Sequence, residues 1–277
     1  MLPFWLSIGA LSLVQALLVF APQLPERGTL LQRLGGRLER LGGRWWALIM
    51  PLSIGVVIAA VALEEEVARG LTYLALVAVP PLAAVALARL LRGGRPALSI
   101  LALPLFALAW AARGSLSAQT AALALSALAC VSLGWAIVRV VPARWLKLGI
   151  YAMAAVDAWL VASDLLQAPN AVINTVSPGG GLPRLQFVTF GSAIMGFGDL
   201  FIAATLGSLL AGDRRLQRRG AAIAVVLCVG FDLLFFFVSE TPSTVPIALT
   251  LAVLDLSLRK HGQVRPEGGV RASSRSA

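Results

Sequence analysis

The chain has 277 residues, of which 58% are hydrophobic and only 13% charged, with a mean hydropathy of +0.86. A soluble domain carries about 25% charged residues, so an ordinary water-soluble enzyme is excluded and a polytopic membrane protein is left. The formal net charge of +10 does not point to nucleic acid, because the basic residues sit in short clusters between apolar runs, the pattern of cytoplasmic loops.

Nine apolar stretches follow in chain order, at about 3–21, 45–63, 71–91, 96–112, 119–141, 147–167, 185–211, 220–239 and 243–258. In lipid the backbone must satisfy its own polar groups, so runs of this length predict helices. The expectation is all-α: a single membrane domain of nine transmembrane helices over 1–258, then a disordered cytoplasmic tail over 259–277 rich in Gly, Ser and Arg. The opening Met1-Leu2-Pro3-Phe4-Trp5 has no basic n-region, which predicts a retained helix rather than a cleaved signal peptide. After it, Arg33-Leu34-Gly35-Gly36-Arg37 recurs as Arg40-Leu41-Gly42-Gly43-Arg44. It lacks the Lys-Ser/Thr of a phosphate loop and reads as a basic arm on anionic headgroups. Glu64-Glu65-Glu66, where the second stretch ends, reads as a solvated turn.

Charge sets the orientation. With nine spans, 20 of the 23 Lys and Arg residues fall on one set of alternate loops, and only Arg69, Arg113 and Arg184 on the other. The positive-inside rule then places the N-terminus outside and the C-terminus in the cytoplasm, and the alternation supports nine independently of hydropathy. Cys130 and Cys228 lie inside apolar runs without C-x-x-C spacing, so no disulfide framework or zinc ribbon is expected. The one histidine, His261, is in the tail, and neither a metal nor a cofactor is implied.

An ionisable group at membrane depth costs about 2.5–3.5 kcal/mol even on insertion scales, so it is a functional candidate. Asp157, Asp164, Asp199 and Asp232 qualify. Asp255 has Arg259 one turn later and is expected to pair with it. Asp157 and Asp199 both fall roughly 15–20 Å from the cytoplasmic face, counting 1.5 Å per residue. Asp164 shares a helix face with Asp157 but sits about 10 Å nearer the outside. Two carboxylates close together in low dielectric cannot both ionise, which supplies an acid and a base for water attack on a peptide bond. The same pair would serve equally as a proton relay or a helix-locking polar contact. Asp199 ends Gly196-Phe197-Gly198-Asp199, where the glycines clear side chains from the backbone beside the acid. Asp232 reads as a third acid coupled to that pair or as a buried hydrogen-bonding group.

Asp157 in one span, Gly196-Phe197-Gly198-Asp199 in the next and the element around Pro246, at about 242–249, resemble the presenilin and signal peptide peptidase family of intramembrane aspartyl proteases. The resemblance covers 147–258 by motif, with catalytic helices at about 147–167 and 185–211. It implies that Asp157 and Asp199 are a catalytic dyad supported by Gly196, Phe197, Gly198 and Pro246. It also implies substrates that are membrane-spanning peptides or proteins, and the deduced orientation is similar to the signal peptide peptidase branch. Val156 stands where the family has Tyr. The family's Pro-Ala-Leu element corresponds either to Ser243-Thr244-Val245 ahead of Pro246, or to Pro246-Ile247-Ala248-Leu249 with an inserted Ile. The β-branched segment Val172-Ile173-Asn174-Thr175-Val176 reads either as a strand that pairs with unwound substrate or as a connector.

Zinc and serine intramembrane proteases need histidines that the spans lack. A type IV prepilin peptidase also uses G-x-G-D, but its Lys two residues after the Asp is Phe201 here. A proton- or cation-coupled transporter using Asp157, Asp199 and Asp232, and a catalytically silent presenilin-like protein, are the other readings.

Overall fold

A computed structural model of the chain describes residues 2–23, 52, 65–163, 165, 176–238 and 240–262. The expected second span apart from Leu52, the arginine arm, Glu64, Asp164, residues 172–175 and 263–277 lie outside the described residues.

The described chain is mostly helical. Helix α1 runs Phe4–Phe20 and starts after Pro3, whose fixed φ suits a helix entry. Helix α2, Glu65–Val85, contains Pro80 and Pro81 and widens into a π turn at Ala86–Leu90. A 3-10 segment at Pro96–Leu101 leads into α3, Ala102–Ala111. Helix α4, Leu116–Val140, is capped by Ser115, whose hydroxyl accepts the Ala118 N–H at 3.1 Å. Helix α5, Ala143–Ala162, follows Pro142. After strands β1, Phe187–Phe190, and β2, Ala193–Gly196, comes α6, Phe197–Leu210. Asp213 caps α7, Arg214–Asp232, accepting from Arg215 and Leu216 N–H at 2.8 and 3.1 Å. Helix α8 spans Val245–Gly262, running past residue 258 into what composition predicts as tail.

Among the described residues, four helical stretches are long and apolar enough to cross a membrane: Glu66–Leu90, Leu116–Val140, Ala143–Ala162 and Arg214–Phe236. The helices of the expected first, fourth and seventh spans, Phe4–Phe20, Pro96–Ala111 and Phe197–Leu210, are apolar but shorter than that.

The apolar run 185–211 departs from the single helix that its hydropathy predicts. Its first half is an antiparallel hairpin pairing Phe187 with Gly196 through Phe190 with Ala193. Phe187-Val188-Thr189-Phe190 is a β-forming string, and Gly191 turns the chain at φ 59, a left-handed geometry that glycine adopts without strain. The turn's amides are satisfied by neighbours: Gly191 N–H donates to Gln119 Oε1 at 2.8 Å and Ser192 N–H to Ser7 Oγ at 3.2 Å. The hairpin is thus fastened between the start of α1 and the start of α4.

Helix α6 is the axis of the fold. Residues from all around it are buried, among them Leu200, Ile202, Ala204, Leu206 and Ser208, so it carries no apolar stripe, as expected of a helix enclosed by others. It packs between α4 and α1. Two glycines set that spacing: a Cβ on Gly134 of α4 would lie 2.9 Å from the Ala204 carbonyl carbon, and one on Gly207 would lie 2.3 Å from the Leu18 carbonyl oxygen. Backbones approach this closely only where a side chain is missing.

Gly207→Ala is expected to lower the stability of the purified protein in detergent by about 2 kcal/mol or more, since the obstructing atoms are backbone. Gly230→Ala on α7, where a Cβ would meet nothing within 4 Å, should leave the thermal midpoint unchanged or higher. Equal losses for both would contradict the packing described.

Candidate functional site

The site forms where two helices begin. Helix α6 starts at the end of strand β2, and Asp199 is its third residue. The Asp199 side chain folds back so that Oδ2 accepts the Gly196 N–H at 3.1 Å. An acid in this position satisfies a helix-start amide and sits in the positive end of the helix dipole. Gly196 has ordinary extended torsions, φ −68 and ψ 151, so conformation does not require glycine there and the tightness lies in the space beside the acid. A Cβ there would come within 3.2 Å of Asp199 Oδ2. Behind the acid, the buried Cys130 thiol on α4 points at the Phe197 carbonyl, 3.8 Å away.

Helix α8 supplies the second half. The Thr244 carbonyl accepts the Ala248 N–H at 3.1 Å, which makes Thr244 the residue that opens this helix. Pro246, in the first turn, removes an amide that would have no intrahelical partner. Thr244 turns its hydroxyl to Asp157 of α5, donating to Oδ2 at 2.6 Å, and its N–H donates to the same oxygen at 3.2 Å. Ser243-Thr244-Val245, rather than the string after Pro246, therefore occupies the position against the first aspartate.

Asp157 and Asp199 are close enough to interact electrostatically, and α8 packs against both helices that carry them. Each carboxylate has Oδ2 held by a helix-start N–H, while among the described residues Oδ1 of neither has a hydrogen-bond partner. Both side chains are half-buried. An open apolar groove of about 280 Å³ runs between α5 and α8, lined by Tyr151, Ala154 and Ala158 of α5 and Val245, Ala248 and Leu249 of α8 among others.

Of the other sequence candidates, Phe197 and Gly198 are the first two residues of α6, Asp164 lies outside the described residues, and Asp232 is held elsewhere, accepting the Ser12 hydroxyl at 2.8 Å. Asp255 departs from its expected partner: its carboxylate pairs with Lys147 on α5, not with Arg259 on its own helix. The pair ties the far end of α8 to the helix that Thr244 grips at the near end. In the sequence Thr244 stands out only within Ser243-Thr244-Val245, and its hydrogen bonds to Asp157 are not visible from spacing alone. The available signal is a hydroxyl two residues before Pro246.

No family model, curated protein or solved structure matches this chain.

Lys147→Met is expected to cost about 0.5–1 kcal/mol of stability, the scale of a partly exposed ion pair, and to cost nothing further once Asp255→Leu is present. Additive losses in a thermal-unfolding cycle would show that the two side chains are not coupled.

Proposed function

We propose that the protein is an intramembrane aspartyl protease of the presenilin and signal peptide peptidase type, with Asp157 and Asp199 as its dyad. The observation that carries this reading is the paired arrangement of the acids: each is oriented through one oxygen by a helix start, and each keeps the other oxygen for chemistry. One carboxylate takes a proton from water as the oxygen attacks the peptide carbonyl, while the other donates a proton to the carbonyl oxygen. Collapse of the resulting diol passes a proton to the amide nitrogen and breaks the C–N bond. Orientation through Oδ2 fixes where the free oxygens point, which matters because misplacement by about 1 Å costs orders of magnitude in rate.

The substrate class follows from the surroundings. The apolar helices and the open apolar groove between α5 and α8 suit an apolar peptide, and a helix must unwind before its carbonyls can be attacked. The hairpin ends at Gly196, next to the dyad, with Ile194 and Gly196 exposed on β2. Its edge suits pairing with an unwound strand, a role that the sequence suggested for 172–176. The nine-span topology, with the N-terminus outside and the C-terminus cytoplasmic, belongs to the same proposal and rests on the distribution of Lys and Arg.

Purified protein incubated with single-span model substrates in detergent is expected to cut within the apolar segment, with cut sites located by mass spectrometry. Asp157→Asn and Asp199→Asn should abolish cleavage, whereas Asp164→Asn should retain it. Thr244→Val, which loses the hydroxyl bond to Asp157, should lower kcat about tenfold, and Thr244→Ser should restore most of it. Undiminished cleavage by Asp199→Asn would end the dyad assignment, and pH-driven solute uptake in proteoliposomes would then favour the transport reading.

A further inference from the structure

The Ser243–Thr244 peptide unit is held from both sides. Its N–H donates to Asp157 at 3.2 Å, and its C=O, on the opposite edge of the same planar group, accepts the Gln15 amide N–H at 3.3 Å. Gln15 comes from the middle of α1, is 2% exposed, and its Oε1 accepts the Cys228 thiol of α7 at 3.5 Å. One turn earlier on the same face of α1, Ser12, also 2% exposed, donates to Asp232 at the end of α7 at 2.8 Å. Ser12, Gln15, Asp232, Thr241 and Ser243 line a cavity of about 10 Å³, room for about one water. A fully buried amide side chain in an apolar helix persists only if its polar atoms are partnered, and here the partner is the peptide that orients Asp157.

We propose that Gln15 is a positioning residue for Asp157, acting through the Ser243–Thr244 peptide unit, and that Asp232 with Ser12 is the anchor that keeps α1 in register for it. A trans peptide has one degree of freedom left once its ends are tethered, rotation about the chain direction. The Gln15 bond removes it, so the Thr244 N–H stays aimed at the carboxylate. Asp232 thereby has a role that does not involve touching the substrate. The consequence for catalysis rests on the protease reading, while the consequence for the backbone does not.

The test uses the full chain in nanodiscs with two readouts: hydrogen exchange of the backbone over 240–246, and kcat and KM on a cleaved single-span substrate. Gln15→Met keeps the volume but removes the donor, and Asp232→Leu removes the anchor. Both are expected to speed exchange of this segment about tenfold and to lower kcat about tenfold, with KM within about twofold of wild type. Asp232→Asn, which still accepts from Ser12, should stay within about threefold of wild type in both readouts. Unchanged exchange in Gln15→Met, or faster exchange with unchanged kcat, overturns the proposal. So does an Asp232→Asn variant as impaired as Asp232→Leu with normal exchange, because that would make Asp232 a titrating participant. If the wild type cleaves nothing, the protease reading fails, and exchange alone decides whether Gln15 fixes the turn.

Discussion

A helix leaves its first N–H groups without intrahelical partners, and in an apolar surrounding unsatisfied amides are costly. Among the described residues, α6 and α8 each give a helix-start N–H to an aspartate, at the exposed Gly196 and the buried Thr244. Asp199 takes the Gly196 N–H within its own first turn, and Asp157 takes the Thr244 N–H from across the helix pair. The acids and the helix starts therefore stabilise one another. Partial positive charge at each helix end favours the carboxylate, and the carboxylate closes the open end of the hydrogen-bond ladder. Placing both starts near each other brings the two acids together as a by-product of the same constraint.

What keeps those starts in place is rigid packing away from the acids. Helix α6 is locked between α1 and α4 by backbone contacts at Gly207 and Gly134, and its entry is set by a hairpin pinned through Gln119 and Ser7. Helix α8 is fastened to α5 at both ends, by Thr244 on Asp157 and by Lys147 on Asp255. A pair of acids mounted on elements fixed this way is pre-organised, which is the condition for precise proton transfer. The open apolar groove between α5 and α8 lies along the same two helices.

Much of this was readable from residue order. Apolar runs located α1 and α4 to within about three residues, whereas α2 and α7 begin six residues before, and α6 twelve residues after, the expected starts. Chain depth placed Asp157 level with Asp199, and Asp164 lies outside the described residues. The hairpin was not read, because hydropathy over 185–196 is the same for a buried strand as for a buried helix, and only Val188, Thr189 and Gly191 mark the difference. The Asp255 partner was misjudged for a related reason: a neighbour at i+4 is visible in sequence, whereas Lys147, over a hundred positions away, is brought near only by the α5–α8 packing. Ser12 and Gln15 are uncharged, so a search for ionisable groups in apolar spans passes over them, and Thr244 enters only as part of Ser243-Thr244-Val245. Their buried polar atoms are what connect the acids to the scaffold.

The most direct test is to map where a photoreactive, non-cleavable hydroxyl isostere of a peptide bond attaches in membranes containing the full chain. The account predicts labelling of α5 near Asp157 and of the β2–α6 junction near Asp199, displaced by excess unlabelled isostere and lost in Asp157→Asn and Asp199→Asn. Absence of labelling, or labelling that persists in both variants, would contradict it.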